Sequence, residues 1–228
     1  MAKLLPLYSI ASSADVLSTT FDIDAGKAIT PIFQARPKME LPVILMGNPA
    51  LQIGTWSAGN HTVIDISKTL QARPWNIWLR KQRCIIPANC FYGEGDKNTS
   101  LVRLLDHRLF GIAGLFDIVN GKIGFTMLTT SSPPILKTQA EQMPVLCTPE
   151  NSKHWLNSNL GVAELMGIAD SSGGHWFDFY PVSEKIKSNQ EQNKSLLNPL
   201  RASYQQNLET LNKLKADPFK GERGRRHK

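Results

Sequence analysis

Residues 109–130 read LFGIAGLFDIVNGKIGFTMLTT. Two runs rich in apolar, β-branched and aromatic residues, 109–119 and 122–130, flank Asn120-Gly121. That pair is the strongest short hairpin signal, because a type I′ turn needs positive φ at both central positions. The stretch predicts two long antiparallel strands joined by a two-residue turn. Working outward, residues 101–105 predict a third strand and 84–87 a buried one. Residues 42–46 and 51–57 predict two more, 144–147 a short one and 175–182 a late alternating one. Residues 32–42 read as irregular.

Helices sit between these strands. Ser12 or Ser13 caps a short one with Val16, Leu17 and Phe21 on one face. Pro74 opens a second that holds Trp75, Ile77, Trp78 and Leu79. Thr148-Pro149-Glu150 is an N-cap followed by Pro at the first helical position, opening a helix through Trp155 and Leu156. No βαβ rhythm links helices to strands, so the class is α+β.

Composition narrows the function classes. The chain has 228 residues, 41% hydrophobic and 20% charged, which suits one folded domain with an appendage and excludes a mainly disordered chain. The longest apolar run, 41–46, is far below the roughly 20 residues of a membrane-spanning helix, so no membrane partner is expected. Pro6, Tyr8 and Ser9 interrupt the apolar start, which makes a poor signal peptide and points to a cytoplasmic location. Cys84, Cys90 and Cys147 cannot all pair and form no CxxC, which argues against a disulfide scaffold or a zinc ribbon. The five histidines show no ligand spacing, and no dinucleotide, P-loop or metalloprotease motif occurs. Neither a metal nor a cofactor is expected.

The net charge of +7 suggests nucleic acid, but its distribution is uneven. Residues 211–228 hold seven Lys and Arg against two acids, leaving the body only slightly basic. Such a tail can hold phosphates by counterion release without reading sequence, or stand as a solvated terminus. Ahead of it, Leu200, Tyr204, Leu208, Leu211 and Leu214 are spaced as one apolar stripe of a helix, which either packs on the body or offers a partner interface.

Three groups of residues invite a chemical reading. Cys84 and Cys90 share a face if the strand stays extended; each is either core or, beside Arg83, an activated thiol. Glu94 follows Phe91-Tyr92-Gly93 and precedes Gly95. It is either an exposed loop carboxylate or, in a semi-apolar bend, an acid or base with a raised pKa. Five tryptophans are core or rim packing; interleaved with Arg73, Arg80, Lys81 and Arg83, some can stack on single-stranded bases.

The order of segments resembles a known family. Residues 83–92, RCIIPANCFY, are similar to the RRCLIPADGFYEW stretch of the SOS response-associated peptidase (SRAP) family. Leu128-Thr129-Thr130 resembles its ILTT strand, and Gln142-Met143-Pro144-Val145-Leu146 its HxRMPVIL stretch. His154-Trp155-Leu156 resembles the YxxWL that follows, and Tyr180-Pro181-Val182-Ser183 the late PVS strand. Upstream, residues 8–21, 33–37 and 42–44 and Trp56 resemble the family's opening, YNxAPT, PVI and WG pieces.

The resemblance implies an α+β fold around a barrel-like, mostly antiparallel sheet with short flanking helices and a groove for single-stranded DNA. The expected division is an SRAP-like domain over 1–198, implied by the resemblance, then an amphipathic helix over 199–216 and a basic, disordered tail over 217–228, both read from the residues themselves. The resemblance also implies abasic-site sensing in the SOS response. There an N-terminal cysteine crosslinks to the opened sugar as a thiazolidine, with an Asn, a Glu and a His assisting, and self-removal of the first residues makes it a peptidase.

At those four positions this sequence has Ala2, Asp65, Gly93 and Ala140, with Glu94 one step beyond the glutamate position. The expectation is therefore a family fold whose crosslinking and autopeptidase chemistry is lost or reduced. It binds single-stranded or abasic DNA weakly through Trp56, Arg73, Arg83, Thr129 and Thr130. The alternatives are an enzyme using substituted residues such as Cys90 or Glu94, and a protein-interaction module built on the C-terminal helix.

Overall fold

A computed structural model describes residues 2–26, 29–48, 50–58, 60–174, 176–188 and 192–200. Along these residues run β1 (Lys3–Ile10), α1 (Ala14–Phe21), β2 (Ile32–Ala35), β3 (Glu40–Leu45), β4 (Leu51–Trp56) and β5 (Val63–Asp65). Then come α2 (Trp75–Lys81), β6 (Arg83–Ala88), β7 (Cys90–Glu94), β8 (Thr99–Leu104), β9 (Phe110–Val119) and β10 (Lys122–Ser131). The order ends with β11 (Gln142–Pro144), β12 (Leu146–Cys147), α3 (Pro149–Trp155), α4 (Val162–Ser171) and β13 (Phe177–Pro181).

The β9–β10 hairpin forms as its turn requires: Asn120 has φ 52° and Gly121 φ 74°, and Val119 pairs with Lys122. Around it the sheet closes. β9 pairs with β6, β6 with β3, β3 with β4 and β4 with β10, which returns to β9. Four of these five seams are antiparallel; β4 and β10 run parallel. Closure leaves no free edge around this ring of strands. Leu41, Val43, Ile85, Ile112, Leu115, Phe125 and Met127 are all buried in its core. Each such side chain contributes roughly 1.5–3 kcal/mol. At one end β5 extends the wall parallel to β10, and β11 adds to β10 from the other side.

A second, open sheet has the order β13-β8-β7-β1-β2 and packs beside the barrel. Period-two alternation splits its side chains between two cores. Tyr8, Phe91 and Val102 join the barrel's core, whereas Leu5, Leu7, Cys90, Tyr92 and Leu101 face outward. Val182, Ile186 and Leu196 of the segment after β13 cover that outer face. The same segment caps β2: Phe33 and Gln34 N–H donate to Gln192 Oε1 at 2.8 and 3.1 Å, and Gln192 Nε2 donates to Gln34 O at 3.2 Å.

The helices begin where their caps predict. Ser13 accepts from Val16 N, and Thr148 Oγ1 accepts from Asn151 N with Pro149 at the first position. Among the described residues no helix is long and apolar enough to cross a membrane.

Several expectations need correction. Residues 32–42 hold β2 and the start of β3, so the stretch is not irregular. Residues 144–147 divide between β11 and β12, which pair with different strands. The late strand is Phe177–Pro181; His175 lies outside the described residues. Val16 is exposed, and Ala14, Leu17 and Phe21 form the buried face of α1. The predicted helix over 199–216 and the tail over 217–228 lie outside the described residues beyond Leu200.

Candidate functional site

The two sheets meet where β1 and β7 approach the far end of β10. Leu4 pairs with Gly93 and Lys3 with Glu94. Ala2 O accepts from Glu141 N at 3.3 Å, tying the start of β1 to the segment before β11. Gln142 Nε2 donates to Asp65 Oδ2 at 2.7 Å, and Thr129 Oγ1 donates to Gln142 Oε1 at 3.3 Å. Asp65 Oδ1 accepts from Ser67 N and Ser67 Oγ, capping the 3-10 turn Ile66–Leu70. Ala2, Asp65, Gly93 and Ala140 therefore belong to one contiguous cluster, although they lie far apart along the chain.

On the Gly93 side the cluster is closely packed. A Cβ built on Gly93 would lie 2.5 Å from Gln139 O and 3.3 Å from Ala140 Cβ. One on Gly95 would lie 2.6 Å from Thr138 O. The backbone of 138–140 is laid directly on one face of β7, and only glycine permits that approach. Gln139 is held there by Ser100 Oγ, which donates to Gln139 Oε1 at 2.6 Å, and Gly93 and Ala140 are both buried. The spacing Gly93-x-Gly95 was the available sequence signal: a glycine in a strand with a second just past its end marks a close backbone neighbour.

Glu94 sits at the rim. Its carboxylate is bridged by Lys3 Nζ at 2.8 Å and by Lys187 Nζ, which also contacts Glu184. Hydrogen bonds from Lys187 first, then Lys3, pull its pKa down to about 2. Of the two alternatives read for Glu94, the one with a raised pKa is not supported. A carboxylate held ionised by two ammonium groups is no proton donor at neutral pH and a poor base. Nothing in the sequence near Glu94 pointed to Lys187, which arrives from the covering segment.

The proposed thiol and DNA ligands separate on inspection. Cys84 lies in the barrel core and Cys90 in the outer core, so the shared face does not form. The reason is Asn89, whose Oδ1 accepts from Ala11 N at 2.7 Å as the chain passes from one sheet to the other. Burial raises the pKa of Cys84, Cys90 and Cys147, which leaves them unreactive thiols.

Trp56 is fully buried: its Nε1 donates to Thr62 O at 2.7 Å, and its ring meets Tyr8 edge-on with centroids 5.1 Å apart. Arg83 is fully buried too. Its guanidinium donates to Trp155 O at 2.6 Å, Leu79 O at 2.7 Å, Arg80 O at 3.0 Å and Asn157 O at 2.6 Å. Neither side chain can touch a nucleic acid in this structure, and Thr129 is likewise buried. Their apolar or carbonyl-rich surroundings outcompete solvent. Of the five expected DNA ligands, Thr130 is half-buried and Arg73 exposed. Lys3, Lys68 and Lys137 are exposed cations on segments that also contribute to the cluster.

Solved structures share this architecture. A Bacteroides thetaiotaomicron protein superposes with a TM-score of 0.73 at 15% identity, covering 86% of this chain and 100% of its own. A phage-related protein from Bordetella bronchiseptica reaches 0.64 at 16% identity over 78% and 94%. These matches establish the fold alone.

The sequence profile of the SOS response associated peptidase (SRAP) family matches residues 8–189, and the chain belongs to that family. Its relatives include abasic site processing protein YoqW of Bacillus subtilis, 29% identical over 143 residues, or 58% of this chain and 64% of YoqW. The chain thus spans less than two thirds of YoqW's length. Abasic site processing protein YoaM of the same organism is 28% identical over 217 residues, covering 83% of this chain and 96% of its own.

Proposed function

We propose that this protein is a DNA-damage-response member of the SRAP family that binds single-stranded or abasic DNA in the cytoplasm without the family's covalent crosslink. The observation that carries the reading is the close packing at Gly93. Where the family resemblance places a glutamate and a histidine stand Gly93 and Ala140, and the backbone of 139–140 lies so close to Gly93 that a Cβ there would be 2.5 Å from Gln139 O. Relatives named as abasic site processing proteins support the DNA half.

The chemistry follows from what is missing. A thiazolidine needs an amine and a thiol on one residue, and Ala2 has no thiol. Imine formation at an amine loses water from a carbinolamine, a step that a positioned acid accelerates about 10²–10⁴-fold. Gly93 and Ala140 carry no proton to give. Asp65 keeps a carboxylate but spends its oxygens on Ser67 and Gln142. The reading of an enzyme built on Cys90 or Glu94 loses support, because one is buried and the other is ion-paired. Non-covalent binding would rest on Arg73, Lys68, Lys3 and Lys137.

The test is incubation with an abasic single-stranded oligonucleotide, with and without borohydride. The expected result is salt-sensitive retention and no covalent band. An adduct that disappears on blocking the α-amine would overturn the loss of chemistry, and no retention at low salt would overturn DNA binding. Each phosphate contact removed by Lys68→Ala or Arg73→Ala should flatten the log–log salt slope by about 0.7.

A further inference from the structure

The outer face of the open sheet has a core of its own, and its cover is built unlike the rest of the molecule. Cys90 and Tyr92 are buried there with Leu5 and Leu7, beneath Val182 and Ile186. Ser9 Oγ and Tyr92 OH share a hydrogen bond at 2.8 Å, and Cys90 Sγ lies 3.7 Å from the same phenol oxygen. Residues 182–188 close this side of the sheet.

What holds that cover differs from what holds the barrel. β6 and β9 are joined by a continuous antiparallel ladder, from Arg83 against Leu115 to Ala88 against Phe110. In the cover, Val182 N donates to Thr99 O at 2.9 Å, and a 3-10 turn, Glu184–Lys187, follows. From there the ties to the body run through side chains. Glu184 Oε1 accepts from Thr99 N at 3.0 Å, and the Arg36 guanidinium donates to Ile186 O and, at 2.8 Å, to Ser188 O. Lys187 Nζ bridges Glu184 and Glu94. The Lys187 and Glu94 side chains are 35% and 27% exposed, so dissolved salt weakens their attraction. A segment anchored by few buried apolar groups and by solvent-accessible polar bonds opens at a smaller free-energy cost than the whole fold.

We propose that residues 182–188 are a cover that opens as a unit while the barrel stays folded, with the Lys187–Glu94 ion pair as its latch. Glu94 also holds Lys3, and Leu4 beside it pairs with Gly93, so the latch sits at the rim of the candidate site. Opening the cover leaves Glu94 to Lys3 alone. The device rests on packing and charge and is independent of the DNA reading.

Peptide-resolved labelling of the full-length chain with N-ethylmaleimide, without urea and in sub-denaturing urea, tests it. Cys84, Cys90 and Cys147 are all free and buried, so each reacts only when its surroundings open. Each rate is divided by that of the same thiol in the unfolded chain. Cys90 should label at least about tenfold faster than Cys84 and Cys147, with a shallower urea dependence, because local opening exposes less surface than unfolding. Lys187→Ala should speed Cys90 several-fold and leave Cys84 and Cys147 within about twofold of their original rates. Raising salt from about 0.05 to about 0.5 M should speed Cys90 in the parent chain and much less in Lys187→Ala. One common rate and urea slope for all three thiols overturns the proposal, because the cover would then open only with global unfolding. A fast Cys90 that ignores both Lys187→Ala and salt also overturns it, because the latch would lie elsewhere.

Discussion

The closed barrel and the open sheet each take a charged side chain out of bulk solvent, and they treat it in opposite ways. In the barrel, Arg83 has no carboxylate partner among the described residues; four backbone carbonyls of α2, α3 and their flanks surround it. Those carbonyls belong to helix ends, where acceptors have no intrahelical donor, so one guanidinium satisfies several orphan groups at once. At the rim of the open sheet, Glu94 meets two lysines whose side chains are partly exposed. The first arrangement welds elements together; the second tethers β1 and the covering segment to β7 and is screened by salt. Resemblance to the family placed functional expectations on both residues, and burial separates them: Arg83 is structural, and Glu94 is an ion-pair hub.

The sharpest way to break this contrast is Arg83→Ala. It strands four buried acceptors and opens a cavity, and should cost about 3–5 kcal/mol, read from the urea midpoint. A change below about 1 kcal/mol would mean the helix ends find other donors. Next comes Gly93→Ala at the junction of the two regions. Its methyl meets a backbone carbonyl that cannot swing away, so a loss of about 1–3 kcal/mol is expected. A neutral result would show that the 138–140 segment lifts off easily and that the cluster is an openable pocket.

A control of opposite sign is Gly167→Ala within α4, where nothing lies within 4 Å of the added methyl. It should stabilise by about 0.5–1 kcal/mol through helix propensity. The smallest effect is at Glu94. Its folded pKa of about 2 lies below its ordinary 4.5. Its contribution is thus present above about pH 4.5 and fades as pH falls toward 2. Glu94→Gln should lower the urea midpoint slightly at pH 7 and leave it unchanged near pH 2. A constant difference across that range would assign the effect to packing.

The parts of this molecule legible from local sequence are those whose signals are local. Asn120-Gly121 specified its hairpin because only a few residues tolerate consecutive positive φ. Thr148-Pro149 specified the start of α3 because capping chemistry is confined to one turn. Strands β1 and β7 were less visible, since their partners come from distant segments and their side chains face two cores rather than core and water; β5 is only three residues long. The ordered motifs identified the family and located Ala2, Asp65, Gly93 and Ala140, but their meeting point depends on how the sheets pack.

By itself the sequence determined the α+β class, the central hairpin and the presence of alanine, aspartate, glycine and alanine at positions 2, 65, 93 and 140. Covalent structure settles such facts before any folding occurs. Tertiary structure alone decided that Trp56 and Arg83 are interior, that Glu94 is ionised between two lysines, and that the 138–140 backbone occupies the space beside β7. Those outcomes depend on solvent exclusion and on charges and carbonyls brought together from distant segments, which spacing along a chain does not encode.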